Sequence, residues 1–128
     1  SKPEADKQEG EHIMEKTLLD FTAQKARELM AAPTCCKELK EVAQAWLDDP
    51  SADMTKKFVA EAEADIVTAE GLLAFAESEM GAKVFGADTA KGVAAHAREL
   101  IAAGAPYCDC PACAACAAIL EKKAELLA

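Results

Sequence analysis

Six cysteines stand in two tight groups, Cys35-Cys36 and Cys108-x-Cys110-x-x-Cys113-x-x-Cys116. Thiolates are soft donors, and several within reach of one another suit zinc, reduced copper or an iron-sulfur cluster. Adjacent Cys35 and Cys36 leave the backbone in different directions, which suits gripping one metal, or two metals of a cluster, better than bonding to each other. The Cys110-x-x-Cys113 run brings two sulfurs to one ion, and Cys108 from the preceding loop adds a third. Both groups fall at the predicted starts of helices, where free amides and the positive end of the helix dipole lower a thiol pKa. Cys35, Cys36, Cys108, Cys110 and Cys113 are therefore the candidate metal ligands. Cys116 lies on the inward stripe of the last helix and reads as a small hydrophobe in the core, and Cys36 shares a weaker form of that reading.

Other chemistry has less behind it. Six cysteines are enough for three disulfides, but disulfide scaffolds are loop-rich, whereas this chain patterns as helix. Cys110-Pro111-Ala112-Cys113 also has the C-P-x-C form of thiol-disulfide exchange proteins, without the strand that delivers such a motif. His96, between Ala95 and Ala97, reads as a partly buried structural histidine, and His12 as a solvated one. Glu61, Glu63, Asp65 and Glu70 read as a solvated helix face rather than catalytic carboxylates. Asp48, Asp49 and Asp53 lack the glycine and spacing of a calcium loop.

The elements that must position the thiols follow from composition and period. Thirty Ala and 11 Leu stand against 5 Val, 4 Ile and 6 Thr in 128 residues, which predicts an all-α fold. Leu, Ile, Val and Phe together number only 24, so the core is thin and a metal that staples helices would compensate. Residues 1–11 are charged and aperiodic, and read as a disordered tail before a single helical-bundle domain over 12–128. Four to six helices are expected. The first runs from about His12 to Ala31, with Met14, Leu18, Phe21, Ala26 and Leu29 inward, and Pro33 ends it. Thr34 is the expected cap of the second, whose stripe is Cys36, Leu39, Ala43 and Trp46. Ser51 or Asp53 caps a third, with Phe58, Val59, Ala62 and Ile66 inward. A break near Thr68 to Gly71 precedes Leu72, Leu73, Ala76 and Met80, and Gly81 to Gly86 reads as a loop. Asp88 is the expected cap of a helix with stripe Val93, Ala97, Leu100 and Ile101, closed by Gly104. Pro111 opens the last, with stripe Cys113, Cys116, Ala117, Leu120, Ala124 and Leu127.

That break decides whether the cysteine groups can meet. With it, up-and-down connectivity starts the second and last helices at the same end of the bundle, and without it at opposite ends. Convergence on a shared site is the expectation, and the adjacent-cysteine knuckle favours an iron-sulfur cluster over zinc, whose structural sites usually carry two C-x-x-C knuckles. Adjacent cysteines with a distant C-x-x-C resemble the CCG domains of heterodisulfide-reductase-type proteins, where such a set holds a non-cubane four-iron cluster. Here Lys37 stands where that pattern has glycine, the separation is longer and the upstream cysteine is missing. The strings AAPTCCKELKEVAQAWLD, EGLLAFAESEMGAKVFG and APYCDCPACAAC resemble a group of small acidic proteins of anaerobic bacteria, many of which carry the label heat-shock molecular chaperone. That resemblance implies a reducing cytoplasm and an anaerobic setting, which favour an oxygen-sensitive cluster.

Charge narrows the partners. With 23 acidic and 14 basic residues the net charge is -9, which repels phosphate backbones and anionic lipids and steers a basic protein partner instead. No apolar run reaches the roughly 20 residues needed to cross a bilayer. The expected function is iron-sulfur electron transfer or redox sensing. The alternatives are a zinc-binding or metal-handling interaction module and a metal-free thiol-disulfide protein.

Overall fold

A computed structural model describes residues 15–128, so the tail, His12 and Met14 lie outside the described residues. The described residues form an all-α fold with helices α1 (Lys16–Ala31), α2 (Lys37–Asp48), α3 (Ala52–Asp65), α4 (Ala69–Ala76), α5 (Glu79–Phe85), α6 (Ala87–Ala102), α7 (Pro111–Leu120) and α8 (Lys123–Leu126). None is long and apolar enough to cross a membrane.

Two groups of helices pack in different ways. In the first, α1 lies against α2 and α7, and α3 lies against α2 and α7. Their shared core holds most of the large buried side chains, among them Leu29, Leu39, Trp46, Phe58, Val59, Cys116 and Ile119. Trp46 stacks at a tilt on Phe58 with ring centroids 5.5 Å apart. Its indole Nε1 donates to Thr55 Oγ1 at 2.9 Å, and that hydroxyl donates to the Ser51 carbonyl, so the ring is buried without an orphaned donor. In the second group α6 packs on α4 and α5, and the buried surface there is made of small residues, Ala69, Ala76, Gly81, Ala90, Ala94 and Ala97. Small side chains let backbones approach closely and bury little area each.

Local chemistry sets the boundaries. Ser51 caps α3 by accepting from the Met54 amide, and the expected break is present, with α3 ending at Asp65 and Thr68 capping α4 through the Gly71 amide. Elsewhere the structure corrects the sequence expectations. Gly81 to Gly86 is not a loop, because Ser78 caps α5 through the Gly81 amide. Gly81 is demanded by packing, since a Cβ there would lie 2.0 Å from the Phe75 carbonyl oxygen. The turn into α6 is made by Gly86 at φ 86°, and Asp88 sits inside the first turn rather than capping it. The inner face of α6 is Ala90, Ala94 and Ala97, while Val93, Leu100 and Ile101 are only half-buried. Cys36, not Thr34, occupies the N-cap of α2 and is exposed, whereas Cys35 is the buried member of the pair. Ile119 is fully buried while Leu120 is only partly so, and after a turn at Glu121-Lys122 it is Leu126 that is buried in place of Leu127.

Candidate metal centre

The break between α3 and α4 does more than reverse the chain. Its extended segment pairs with the chain approaching α7: the Cys108 amide donates to the Val67 carbonyl at 2.8 Å and the Ala69 amide to the Pro106 carbonyl at 3.0 Å. Thr68 and Tyr107 thereby form an isolated antiparallel bridge, which fixes the backbone of Cys108. Two residues on, Cys110 is the N-cap of α7 with Pro111 at the first helical position, and its Sγ accepts from the Cys113 amide at 3.4 Å. The Cys110 amide in turn faces Cys108 Sγ at 3.5 Å. One turn of capped helix and a two-bond ladder thus hold three sulfurs together.

Sγ atoms of Cys108, Cys110 and Cys113 all lie within 4.8 Å of one another. Four thiolates at about 2.3 Å from a tetrahedral ion are separated by about 3.8 Å, so small side-chain adjustments would bring this triad onto one metal. Cys35 and Cys36 do not belong to the triad, but they line the same cavity of about 890 Å³, as does Cys116. The two cysteine groups therefore open on one volume. They are also linked across it, where the Thr34 hydroxyl, just before Cys35, donates to Cys110 Sγ at 3.4 Å. Cys36 instead donates to the Asp65 carboxylate at 3.2 Å.

The thiols differ in how readily they ionise. Burial works against the Cys110 thiolate, but hydrogen bonds from Thr34, from the Cys113 amide and from the neighbouring thiols outweigh it, and its pKa is lowered. Burial raises Cys35, Cys36 and Cys108. Burial also pushes Cys113 up to about 12, with the neighbouring Cys110 and Cys108 adding repulsion. Cys116 reaches about 12 as well, again chiefly through burial. Its Sγ donates to the Ala62 carbonyl and it is 1% exposed, so it is packed as a core residue. A metal bound at the triad would invert this order for its ligands, since a cation stabilises thiolates that burial alone disfavours.

Sequence reasoning missed three polar neighbours. His96 is not partly buried: it lies exposed on the cavity wall, with Nε2 2.8 Å and 3.0 Å from the two Asp109 oxygens. Asp109 sits between Cys108 and Cys110, so this pair ties α6 to the cysteine loop. Asp65, read as part of a solvated face, turns its carboxylate to Cys36, and Thr34 serves Cys110 rather than α2. The position of Asp109 inside C-D-C was the one signal in the chain, and it named no partner. Comparison with family models, with curated proteins and with solved structures finds no match.

Proposed function

We propose that the chain is a thiolate metal protein, with its centre seated on Cys108, Cys110 and Cys113 and completed across the cavity by Cys35 and Cys36. The observation that carries this reading is the triad of sulfurs within 4.8 Å of one another on an open cavity. A cysteine kept for packing behaves as a small hydrophobe buried in the core, as Cys116 does at 1% exposure. An iron-sulfur cluster is favoured because adjacent Cys35 and Cys36 suit two metals of a cluster and the cavity has room for several metal atoms and bridging sulfides. The protein would then carry or sense electrons in a reducing cytoplasm, docking through its acidic surface to a basic protein partner.

Two further readings each have an observation in their favour. The close span of the triad suits a single zinc ion, held structurally or passed to a partner. The contrast between a lowered Cys110 and a raised Cys113 at a helix start suits metal-free thiol-disulfide exchange. Iron, zinc, copper and acid-labile sulfide per chain, measured on protein isolated without oxygen beside the Cys110→Ser variant, separate the three. Iron with matching sulfide, lost in the variant, supports the cluster. Zinc alone moves the assignment to the second reading. A folded metal-free protein whose Cys110 and Cys113 cycle through a disulfide overturns the metal centre.

A further inference from the structure

We infer that the cavity between the two helix groups is also a binding site for an uncharged, largely apolar small molecule, lodged between the thiol wall and Leu72, Phe75, Phe85 and Val93. This inference rests on the cavity and not on the identity of any metal. A cavity of about 890 Å³, part of it given to the metal centre, falls within the range of about 300–1,000 Å³ that small-molecule sites occupy. The cysteine ligands come from the starts of α2 and α7, whereas the wall supplied by α4, α5 and α6 carries none. That wall is hydrocarbon: Leu72 and Phe75 of α4, Phe85 of α5 and Val93 of α6, with Phe75 and Phe85 edge to face at 5.8 Å. Residues from α2, α3, α4, α5, α6, α7 and three connecting segments converge on it, which makes a concave site rather than a linear groove for a peptide strand or helix.

Charge and backbone both support the assignment. Asp109 is paired with His96, and the Asp65 carboxylate is hydrogen-bonded by the Cys36 thiol, which leaves its charge uncompensated, so the cavity disfavours an anion. An anion would also meet a chain of net charge -9. Gly92 is the second, independent observation. It sits inside the 16-residue α6, where glycine costs about 1 kcal/mol relative to alanine. Neither backbone geometry nor crowding requires it, because its φ is not positive and a Cβ built there meets nothing within 4 Å. It does line the cavity, on the same face as Thr89, Val93 and His96. Gly92 is exposed on the open side of the cavity, so a larger side chain there would narrow access to it.

The test is a titration of reduced protein, as isolated and after metal removal, with the neutral fluorophore N-phenyl-1-naphthylamine. A saturable rise in emission at one site per chain is expected. Gly92→Leu, which favours the helix while filling the cavity, should weaken binding at least tenfold, and Val93→Phe provides the same block from the neighbouring position should the first variant fold poorly. Ala60→Leu on the exposed face of α3 should leave binding unchanged. The anionic 8-anilino-1-naphthalenesulfonate should bind at least tenfold more weakly than the neutral probe. Absence of saturable binding, equal affinity in the cavity-filling variants with their helical content intact, or equal binding of the anion would each overturn the proposal. Metal analysis of the same samples reports on the metal centre separately, so loss of one reading is distinguishable from loss of the other.

Discussion

Cys110 and Cys116 belong to one short stretch of chain and have opposite surroundings. The first is a helix cap whose sulfur collects hydrogen bonds from Thr34 and Cys113, and the second is closed into the core against Ala62. Cys110→Ser is therefore expected to remove most of the bound metal and to lower the melting temperature of the metal-loaded protein, because ligands that bind only the folded state stabilise it. Cys116→Ala is expected to cost about 1 kcal/mol through lost packing and to leave metal content alone; metal loss in that variant would overturn its assignment to the core. His96 offers a pH test. Its hydrogen bond to Asp109, followed by the charge of that group, raises its pKa above 6.5. A raised folded-state pKa contributes stability that is fully present below the unfolded value and is lost as pH rises through the folded one. The melting temperature of the protein should thus exceed that of His96→Gln at pH below 6.5, and the difference should shrink as pH rises above it. A difference that stays constant with pH would show that the pair does not titrate as an ion pair.

At the scale of elements, the α3–α4 break carries the site. Thr68 accepts from the Gly71 amide at 2.9 Å, and the segment it ends holds Cys108 through Val67. Thr68→Ala is expected to lose about 1 kcal/mol of cap energy, and metal affinity should fall with it because the partner strand of Cys108 loosens. Thr68→Ser should restore both, and chemical denaturation together with competition against a chelator measures them. A variant that loses stability and keeps full affinity would separate the cap from the site. The break was legible in the sequence because a cap residue and a glycine interrupt an apolar stripe there. So were α1, α2, α3 and the start of α7, since large residues repeat at helical spacing, Pro33 and Pro50 follow the ends of α1 and α2, and Pro111 opens α7. The faces of α5 and α6 were not, because their buried sides are alanine and glycine, which carry no hydrophobic period. The five candidate ligands were named from type and spacing alone, and three of them, Cys108, Cys110 and Cys113, form the triad, whereas the contacts of Thr34, Asp65 and His96 span 76, 29 and 13 residues and no local pattern encodes them.

Over the whole molecule, stability is unevenly distributed. Trp46, Phe58, Leu29, Ile119 and Val59 are all fully buried in the group formed by α1, α2, α3 and α7. In the α4–α6 group the large apolar residues Leu72, Phe75, Phe85 and Val93 line the cavity instead, and Met80 and Val84 face solvent. Little apolar area holds α4, α5 and α6 to the rest of the fold, beyond the ladder at Cys108 and the contact of His96 with Asp109. Regions with few buried apolar contacts open at lower free energy than the global transition. Amide exchange of the metal-free, reduced protein should therefore be fastest in α4, α5 and α6 and slowest in α2, α3 and α7. Metal bound at Cys108, Cys110 and Cys113 orders the loop to which both contacts attach, so loading should slow exchange in α4 and α6, although neither helix supplies a cysteine ligand. Uniform protection across both groups before loading would show that the small-residue packing of α6 on α4 suffices by itself. Protection gained only next to the cysteines would show that the site stiffens its own loop and staples nothing.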